Sequence, residues 1–464
     1  MREKIETFVK CNMDDMLADI SKLIAIRSVR GESEPGMPFG RGPAEAMACA
    51  EAIAIRHGFK VKHFDGYAME INLNDGPDEL GILCHLDVVH EGSGWTSPPF
   101  QADIREGRIY GRGASDNKGP AVAALYALKC VRDSGIPLSK NTRLILGADE
   151  ECGSSDLKEY FKRQSAPPYS FSPDAAFPVY NIEKGRYSPS FFAEFEESES
   201  LPRIIEVEGG RAVNVVPDEA VALTEGLEKK ALLELAQAFE NKAGVDFELD
   251  EADGKIRICA KGLSTHASYP EDGKNALTAL IGLLASAPFA ECEGFRRLKS
   301  VNALFPHGDY LGEALGIRME DEISGPLTCN LGMFKYSPSG LSGAFDARCP
   351  VCADESAVQT AAGAFLEKGL KLSSDSMLAA HYVPEELPFI QTLLQAYEAF
   401  SGQKGECVSM GGGTYVHGIK NSVAFGPSFP DTDTYAHAAD ECAVIAELEA
   451  CVKIFAQVII DMCG

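Results

Sequence analysis

The sequence predicts an α/β protein in which a largely parallel sheet is interrupted by an inserted α+β domain. The apolar runs ELGILCHLDVV (79–89) and TRLILGA (142–148) have the character of strands, and the segment GPAVAALYALKCVRDSG between them has the character of a helix. A strand, a long crossover and a second strand are typical of a parallel sheet with helices on its faces.

A change of pattern near residue 182 predicts the inserted domain. Beyond this point strands alternate with amphipathic helices, for example at 227–241 and 353–368. We therefore expect a first domain formed by residues 1–182 and 382–464, and an inserted domain formed by residues 183–381, a typical length for a domain.

Further helices and strands complete the first domain. A second helix is predicted from Pro43 to His57, ending at Gly58, and LPFIQTLLQAYEAF begins another, followed by the short strands GECVSM and SVAFGP. Apolar residues recur at helical spacing near both ends of the chain: Met13, Met16, Leu17, Ile20, Leu23 and Ile24, and then Val444, Ile445, Leu448, Val452, Phe455 and Ile459.

The charge and the cysteines exclude several classes of function. With 69 acids against 43 bases the formal net charge is −26, which repels nucleic acid and anionic membranes. The N-terminus lacks the apolar core of a signal peptide, and no apolar run reaches the length of a membrane span. We expect a cytoplasmic protein whose 14 cysteines are reduced, with CPVC (349–352) forming two core thiols near a turn.

The stretch LGADEECGSSD places three acids, Asp149, Glu150 and Glu151, directly after an apolar strand. Carboxylates in that position repel one another and lose hydration, so a cation is expected nearby. The neighbouring Cys84 and Cys152 are expected to point to the opposite face of an extended backbone as buried structural thiols, although a redox role is an alternative.

Five other residues are candidates for the same site, and each alone has a simpler explanation. His85 and Asp87 could be a satisfied pair on a strand, Asp116 in GRGASDNKG could cap a helix, Asp174 could be an ordinary loop acid and His437 a surface histidine. Together, histidines and carboxylates at the ends of strands are the ligands that two divalent ions require. Two ions ~3.5–4 Å apart can share one carboxylate and activate a water molecule.

The sequence resembles a known family at this point. HLDVV, GRGASDNKG, GADEECGSSD, SPDAAFP and TYAHAADE, in this order, look like the dinuclear zinc metallopeptidases related to carboxypeptidase G, aminoacylase and carnosinase. STHASYPEDGKNA, NLGMFKYSPSG and MGGGTYVHG are most similar to the bacterial dipeptidases of the peptidase V (PepV) type. The resemblance covers nearly the whole chain.

The resemblance implies a role for each candidate in the first domain. Asp116 bridges the two ions, His85 and Asp174 complete one site, and Glu151 and His437 complete the other. Asp87 orients His85, and Glu150 is the general base. The resemblance also implies a cis peptide bond between Asp116 and Asn117.

The inserted domain resembles the lid of this family. His266 matches a lid histidine that binds the oxyanion, Asn214 matches a position that lines the site, and Arg348 matches an arginine that binds the C-terminal carboxylate of the substrate. Alternatively, His266 is a structural loop residue and Arg348 forms a salt bridge with Asp346. The glycines of GGGT, among them Gly411 and Gly412, form a turn or allow the backbone to approach the substrate.

We therefore expect a metal-dependent dipeptidase that hydrolyses dipeptides or short peptides. One alternative is an amidohydrolase that deacylates N-acyl amino acids with the same metal site, and another is a metal-holding protein without turnover. Zinc is the expected metal, and manganese or cobalt also suits these ligands. The length of the lid resembles that of relatives that act as monomers.

Overall fold

The chain folds into two compact units. The computed structural model describes residues 2–374 and 376–464, without the side chains of 241 and 242. The first unit comprises the chain up to Ile182, Tyr382–Ser409 and Gly413–Gly464, and the second comprises Glu183–His381 and Met410–Gly412.

The helices of the first unit include both of the long terminal segments that the apolar spacing predicted, although the first begins at Arg2 rather than near Met13. Its α-helices are Arg2–Ile24, Arg41–Arg56, Lys118–Asp133, Ser155–Phe161, Pro388–Ser401 and Ile445–Cys463, with a 3-10 helix at Glu150–Cys152. The helices of the second unit are Lys229–Ala243, Ala276–Ser286, Glu293–Leu304 and Glu355–Glu367, with a 3-10 helix at Pro270–Asp272. Among the residues described, no helix combines the length and the apolar content that a membrane span requires.

The first unit is built on a mixed sheet with a parallel centre. Seven of its strands lie in the order Val61–Phe64, Ala68–Asn72, Asn141–Gly147, Asp78–His85, Tyr169–Ser172, Ser422–Ala424 and Val179–Glu183. The four central strands of this series are parallel to one another, and the flanking strands are antiparallel. Smaller strands lie at Asp103–Arg105, Arg108–Tyr110, Ala175–Ala176, Pro427–Ser428 and Cys442–Val444. The α/β class with a largely parallel sheet is thus confirmed.

Both faces of the central strands are buried, as expected for parallel strands. Along Asp78–His85, Ile82 and Cys84 face the large core formed with the terminal helices, whereas Leu83 packs into a smaller cluster with Tyr160 and Tyr415. Because side chains alternate along a strand, His85 points to the same face as Leu83. Its ring meets that of Tyr415 edge to face, at a centroid distance of 6.0 Å.

The second unit is an antiparallel sheet covered by its own helices. Its strands lie in the order Asp246–Ala252, Lys255–Lys261, Glu219–Glu225, Arg203–Gly209, Thr328–Ser337, Gly340–Cys349, Ser190–Glu194 and Lys371–Leu372, and Gly185–Tyr187 also pairs with Gly340–Cys349. A separate apolar core, including Leu280, Leu298 and Phe365, fills this unit. The strands Glu320–Asp321 and Gly325–Pro326 pair with each other. The short strands His381–Tyr382 and Cys407–Met410 belong instead to the sheet that contains Val179–Glu183.

A buried carboxylate joins three helices of the first unit. Asp19 is fully buried and accepts hydrogen bonds from Tyr126 Oη at 2.9 Å and Lys22 Nζ at 3.0 Å. It also pairs with Arg56 and lies 3.1 Å from His57 Nε2. Burial raises the pKa of Asp19, but these hydrogen bonds and the Arg56 charge outweigh burial and hold the pKa below its ordinary value.

Replacing Asp19 with Asn removes the charge that these donors share. We expect the free energy of unfolding to fall by about 1.5–3 kcal/mol at neutral pH, the value of a hydrogen bond to a charged group, measured as a lower midpoint of urea unfolding. Because folding lowers the pKa of Asp19, its contribution is present above the unfolded-state pKa and is lost as the pH falls through the folded-state pKa. Asp14→Asn, at an exposed position of the same helix, is the control and should barely move the midpoint. Equal midpoints for Asp19→Asn and the unmodified protein would contradict this role.

Candidate active site

Three of the candidate side chains follow neighbouring parallel strands. His85 ends the strand Asp78–His85, Glu150 lies just beyond Asn141–Gly147, and Asp174 lies just beyond Tyr169–Ser172. The carboxyl ends of parallel strands lie at one edge of a sheet, which is where ligands bind in open α/β sheets.

Asp116 reaches this edge from a glycine-rich loop that precedes the helix Lys118–Asp133. The peptide bond between Asp116 and Asn117 is cis, as predicted. The side-chain nitrogen Nδ2 of Asn117 donates to the carbonyl oxygen of Pro173 at 2.6 Å and to Asp174 Oδ1 at 2.9 Å. Asn117 therefore links the Asp116 loop to the segment that carries Asp174.

The Asp116 carboxylate lies between two histidines. Asp116 Oδ1 is 2.9 Å from His85 Nε2, and Asp116 Oδ2 is 3.0 Å from His437 Nε2. Asp174 Oδ1 lies 3.4 Å from His85 Nε2, and Glu151 Oε2 lies 3.3 Å from His437 Nε2.

These contacts define two overlapping sets of potential metal ligands. One set is His85, Asp116 and Asp174, the other is Asp116, Glu151 and His437, and within each set one ligand atom per residue lies within 4.8 Å of the others. Each set offers one imidazole nitrogen and carboxylate oxygens, a combination that suits zinc, manganese and cobalt.

The hydrogen bonding of His85 provides an independent test of this fit. His85 Nδ1 lies 3.0 Å from the backbone carbonyl oxygen of Asp87, which can only accept. Nδ1 therefore carries a proton, and in the neutral ring that could bind an ion Nε2 presents a lone pair towards Asp116 and Asp174. Among the described residues buried Nε2 makes no hydrogen bond of good geometry, although Asp116 Oδ1 lies 2.9 Å away, and Glu151 Oε1 makes none either. Buried lone pairs that converge in this way fit a cation between them.

The charges of the site lead to the same conclusion. Burial, together with the neighbouring Asp174, raises the pKa of Glu150 well above its ordinary value. Burial also raises the pKa of Glu151 and of Asp174, with Asp116 adding to both. Without cations, these carboxyl groups hold protons more tightly than exposed acids do.

The pKa values of the two histidines are raised as well. Hydrogen bonds that His437 donates to Asp116 and Glu151 raise its pKa to about 11. Burial lowers the pKa of His85, but the nearby carboxylates outweigh burial and raise it. Protons thus compensate the carboxylates where cations would otherwise do so, and ion binding must displace them.

The three consecutive acids have three different environments. Asp149 is fully buried but pairs with Arg30 and accepts from the Ser155 hydroxyl at 2.5 Å. Its compensating cation is therefore an arginine. Glu151 belongs to a ligand set, and Glu150 lies next to both sets without belonging to either.

Asp87 holds the turn that carries these acids. Its two carboxylate oxygens accept the backbone N–H groups of Glu150 and Glu151, each at 3.2 Å. Its contact with His85 runs mainly through its carbonyl oxygen, because its carboxylate is farther from Nδ1, at 3.4 Å. Asp87 thus contacts the histidine and the acid turn together.

Comparison with known proteins is consistent with this geometry. The model of Peptidase family M20/M25/M40 matches residues 81–461. The chain belongs to this peptidase family. The family resemblance that the motifs indicated is therefore confirmed.

Relatives of this M20/M25/M40 peptidase span its whole length. It is 37% identical over 458 residues to the putative dipeptidase YtjP of Bacillus subtilis (strain 168), with 97% of each chain covered. It is 32% identical over 456 residues to the Beta-Ala-Xaa dipeptidase of Lactobacillus delbrueckii subsp. lactis, with 97% of this chain and 96% of that one covered. The solved structure of human carnosine dipeptidase 1 has a TM-score of 0.60 at 18% identity, over 99% of this chain and 98% of that one, and shows a shared fold.

The remaining candidates of the M20/M25/M40 peptidase lie in its second unit, where several contact one another. His266 Nδ1 accepts the backbone N–H of Ser268 at 3.2 Å, so the proton of the neutral ring lies on Nε2. The carbonyl oxygen of Asn214 accepts the N–H of Ala267 at 2.9 Å.

Arg348 forms the salt bridge that the sequence offered as an alternative. Its Nε donates to Asp346 Oδ2 at 2.7 Å, and its Nη1 donates to the carbonyl oxygen of Gly411. A side chain at Gly411 would collide with Ser268, since a Cβ there would lie 2.6 Å from the Ser268 Cβ. A Cβ at Gly412 would lie 3.2 Å from Met410 Cε. The salt bridge fixes the guanidinium, and the carboxylate-binding role stays a prediction.

The predictions for two cysteines, Cys152 and Cys352, are wrong. Cys84 and Cys349 are buried, as expected, but Cys152 and Cys352 are exposed. The alternation rule applies to extended backbone, whereas Cys152 ends the 3-10 helix Glu150–Cys152.

Sequence reasoning missed three residues that support this site. Asp156 is buried and accepts the N–H groups of Ala148 at 2.6 Å and Asp149 at 2.8 Å, and it also accepts from the Tyr415 hydroxyl. Glu441 is buried against the Asp116 loop. Asp156, Tyr415 and Glu441 lie inside the motifs GADEECGSSD, GGGTY and HAADE, which was the available signal. None of the three has the spacing of a metal ligand.

The shared position of Asp116 predicts how ion binding responds to substitution. Asp116→Asn should weaken the binding of both ions, because the two oxygens of Asp116 serve both sets. Asp174→Asn should weaken mainly the binding of one ion. Zinc content and affinity can be measured by titration against a chromophoric chelator after removal of metal. Loss of only one ion in Asp116→Asn would contradict a bridging position.

Proposed function

We propose that this peptidase is a metal-dependent dipeptidase that cleaves dipeptides or short peptides with two divalent ions, most simply zinc. The observation that carries the proposal is the Asp116 carboxylate shared between two ligand sets, with the half-buried Glu150 beside them. The names of its full-length relatives support the dipeptide as substrate.

The proposal assigns the two ions to the two sets described above. His85 and Asp174 would hold one ion, Glu151 and His437 the other, and Asp116 both. When bound, such a pair lowers the pKa of a shared water toward ~7 and polarises the scissile carbonyl group.

Glu150 acts as general base and then as general acid. It accepts the proton that the attacking water loses, and it delivers that proton to the amine nitrogen as the peptide C–N bond breaks. A half-buried carboxylate with a raised pKa suits both steps. Asp87 assists by holding the backbone of Glu150 and by directing His85.

The second unit supplies substrate recognition in this proposal. His266 donates a hydrogen bond from Nε2 to the oxyanion that forms on the carbonyl group. This agrees with the proton position inferred from the contact with Ser268. Arg348, fixed by Asp346 and Gly411, binds the C-terminal carboxylate of the substrate. Asn214, Gly411 and Gly412 would contact the same substrate. Because one chain carries all these groups, we propose a monomer acting in the cytoplasm.

The general base can be separated from its neighbour by matched substitutions. Glu150→Gln should lower kcat by ~10²-fold or more with zinc content unchanged, because Gln keeps the shape and loses the proton acceptor. Glu151→Gln should instead lower zinc affinity. The measurement is hydrolysis of a dipeptide beside zinc analysis of the same samples. Full turnover in Glu150→Gln would refute the assignment.

Substrate class and the role of Arg348 can be tested together. Arg348→Lys should raise KM for dipeptides about 10- to 100-fold, because a lysine cannot replace two parallel hydrogen bonds to a carboxylate. The matched control is the corresponding dipeptide amide, which lacks the carboxylate and should respond little. Assays of N-acetyl amino acids in parallel address the alternative, and preference for them over every dipeptide would overturn the dipeptidase proposal.

A further inference from the structure

Glu441 is a fully buried acid at the end of the loop that carries His437. It lies four residues after His437 and directly before the strand Cys442–Val444. Neither ligand set contains it, and the mechanism above does not use it.

The Glu441 carboxylate is surrounded by the Asp116 loop. Its Oε1 accepts the backbone N–H groups of Gly113, Ser115 and Asp116, each at 3.1 Å. Its Oε2 lies 2.6 Å from Arg112 Nη1 and 3.1 Å from the Gly113 nitrogen. One carboxylate thus accepts three of the backbone N–H groups in the loop that ends at Asp116.

A second series of contacts ties the same two loops, again with donors from the Asp116 loop and acceptors from the His437 loop. Arg112 Nη2 donates to the carbonyl oxygen of Ala438, next to His437, at 3.1 Å. The Gly111 N–H donates to the carbonyl oxygen of Glu441 at 2.9 Å. The two loops are therefore joined through side chains and backbone.

The electrostatics explain why a carboxylate is required at this position. A buried acid behind Asp116 would repel it, but Arg112 compensates the Glu441 charge inside the protein. The remaining lone pairs of Glu441 are satisfied by N–H groups, the arrangement that makes a buried charge tolerable. A neutral side chain would leave Arg112 or the loop amides without an acceptor.

The role of these contacts follows from how far apart the Asp116 loop and the His437 loop lie in the sequence. Asp116 and Glu441 are separated by 325 residues, yet Asp116 Oδ2 must lie close to His437 for both to serve one ion. His437 itself lies in a loop of irregular backbone, with φ of 61°. Contacts that fix both loops relative to each other therefore fix the distance between two proposed ligands.

We infer that Glu441, together with Arg112, is a positioning pair that sets the affinity of the protein for both ions. This inference rests on the proposed function, since it concerns the same ligand sets. Because Asp116 belongs to both sets, loosening its loop should weaken the binding of both ions rather than of one.

The test compares two glutamates that hold the same His437 loop. Glu447 also anchors this loop, accepting from the Phe429 N–H at 3.2 Å and the Thr432 hydroxyl at 2.6 Å, but its hydrogen bonds among the described residues do not reach the Asp116 loop. Zinc affinity is measured by chelator competition for the full-length protein and for the variants Glu441→Gln, Glu441→Asp and Glu447→Gln. Thermal unfolding of the zinc-free proteins is recorded in parallel.

The expected result is a loss of zinc affinity about 10- to 100-fold at both sites in Glu441→Gln, with a much smaller change in Glu447→Gln. Glu441→Asp keeps the charge and should recover part of the loss, and it carries the comparison if Glu441→Gln does not fold. Unchanged zinc affinity in the Glu441 variants, with only a lower unfolding midpoint, would show a purely structural role and overturn the inference. An equal loss in Glu447→Gln would also overturn it. Failure of the unmodified protein to bind two zinc ions would refute the proposed function itself.

Discussion

The site depends on one constraint, which is the placement of a single carboxylate between two imidazole rings. Asp116 lies within hydrogen-bonding distance of His85 on one side and His437 on the other. Glu150, Glu151 and Asp174 are close enough for their charges to act on one another. So many acids in a poorly hydrated volume are tolerated only with positive charge among them, supplied by protons or by metal ions. The parallel strands, the glycine-rich loop and the irregular loop around His437 all serve to bring these groups to one edge of the sheet.

Several acids near the site serve as backbone anchors rather than as ligands. Asp87 accepts the amides of Glu150 and Glu151, Asp156 accepts those of Ala148 and Asp149, and Glu441 accepts those of the Asp116 loop. Loops lack the repeating hydrogen bonds of helices and strands, so their N–H groups need other acceptors. A carboxylate can satisfy two or three of them at once, which holds irregular backbone in one shape and so gives the ligands fixed positions.

Sequence patterns located the proposed ligands and Asp87, but not the other two anchors, Asp156 and Glu441. The strand ends and the order of the motifs led to His85, Asp116, Glu151, Asp174 and His437, because each stands in a recognisable local context. Arg30 beside Asp149 and Glu441 beside the Asp116 loop could not be predicted, since their partners are 119 and 325 residues away in sequence. The exposure of Cys152 was mispredicted for a local reason, because a short 3-10 helix replaces the extended backbone that alternation assumes. For Arg348, the residue type suggested a carboxylate partner. In the structure Asp346 provides that carboxylate within the protein.

The second unit is discontinuous, since Met410–Gly412 belongs to it although all of its other residues precede position 382. Excising residues 183–381 as a fragment would leave out the carbonyl group of Gly411, to which the Arg348 guanidinium donates. Truncation of this protein would therefore remove one of the groups that hold the Arg348 side chain. Binding studies of substrate fragments require the full-length polypeptide.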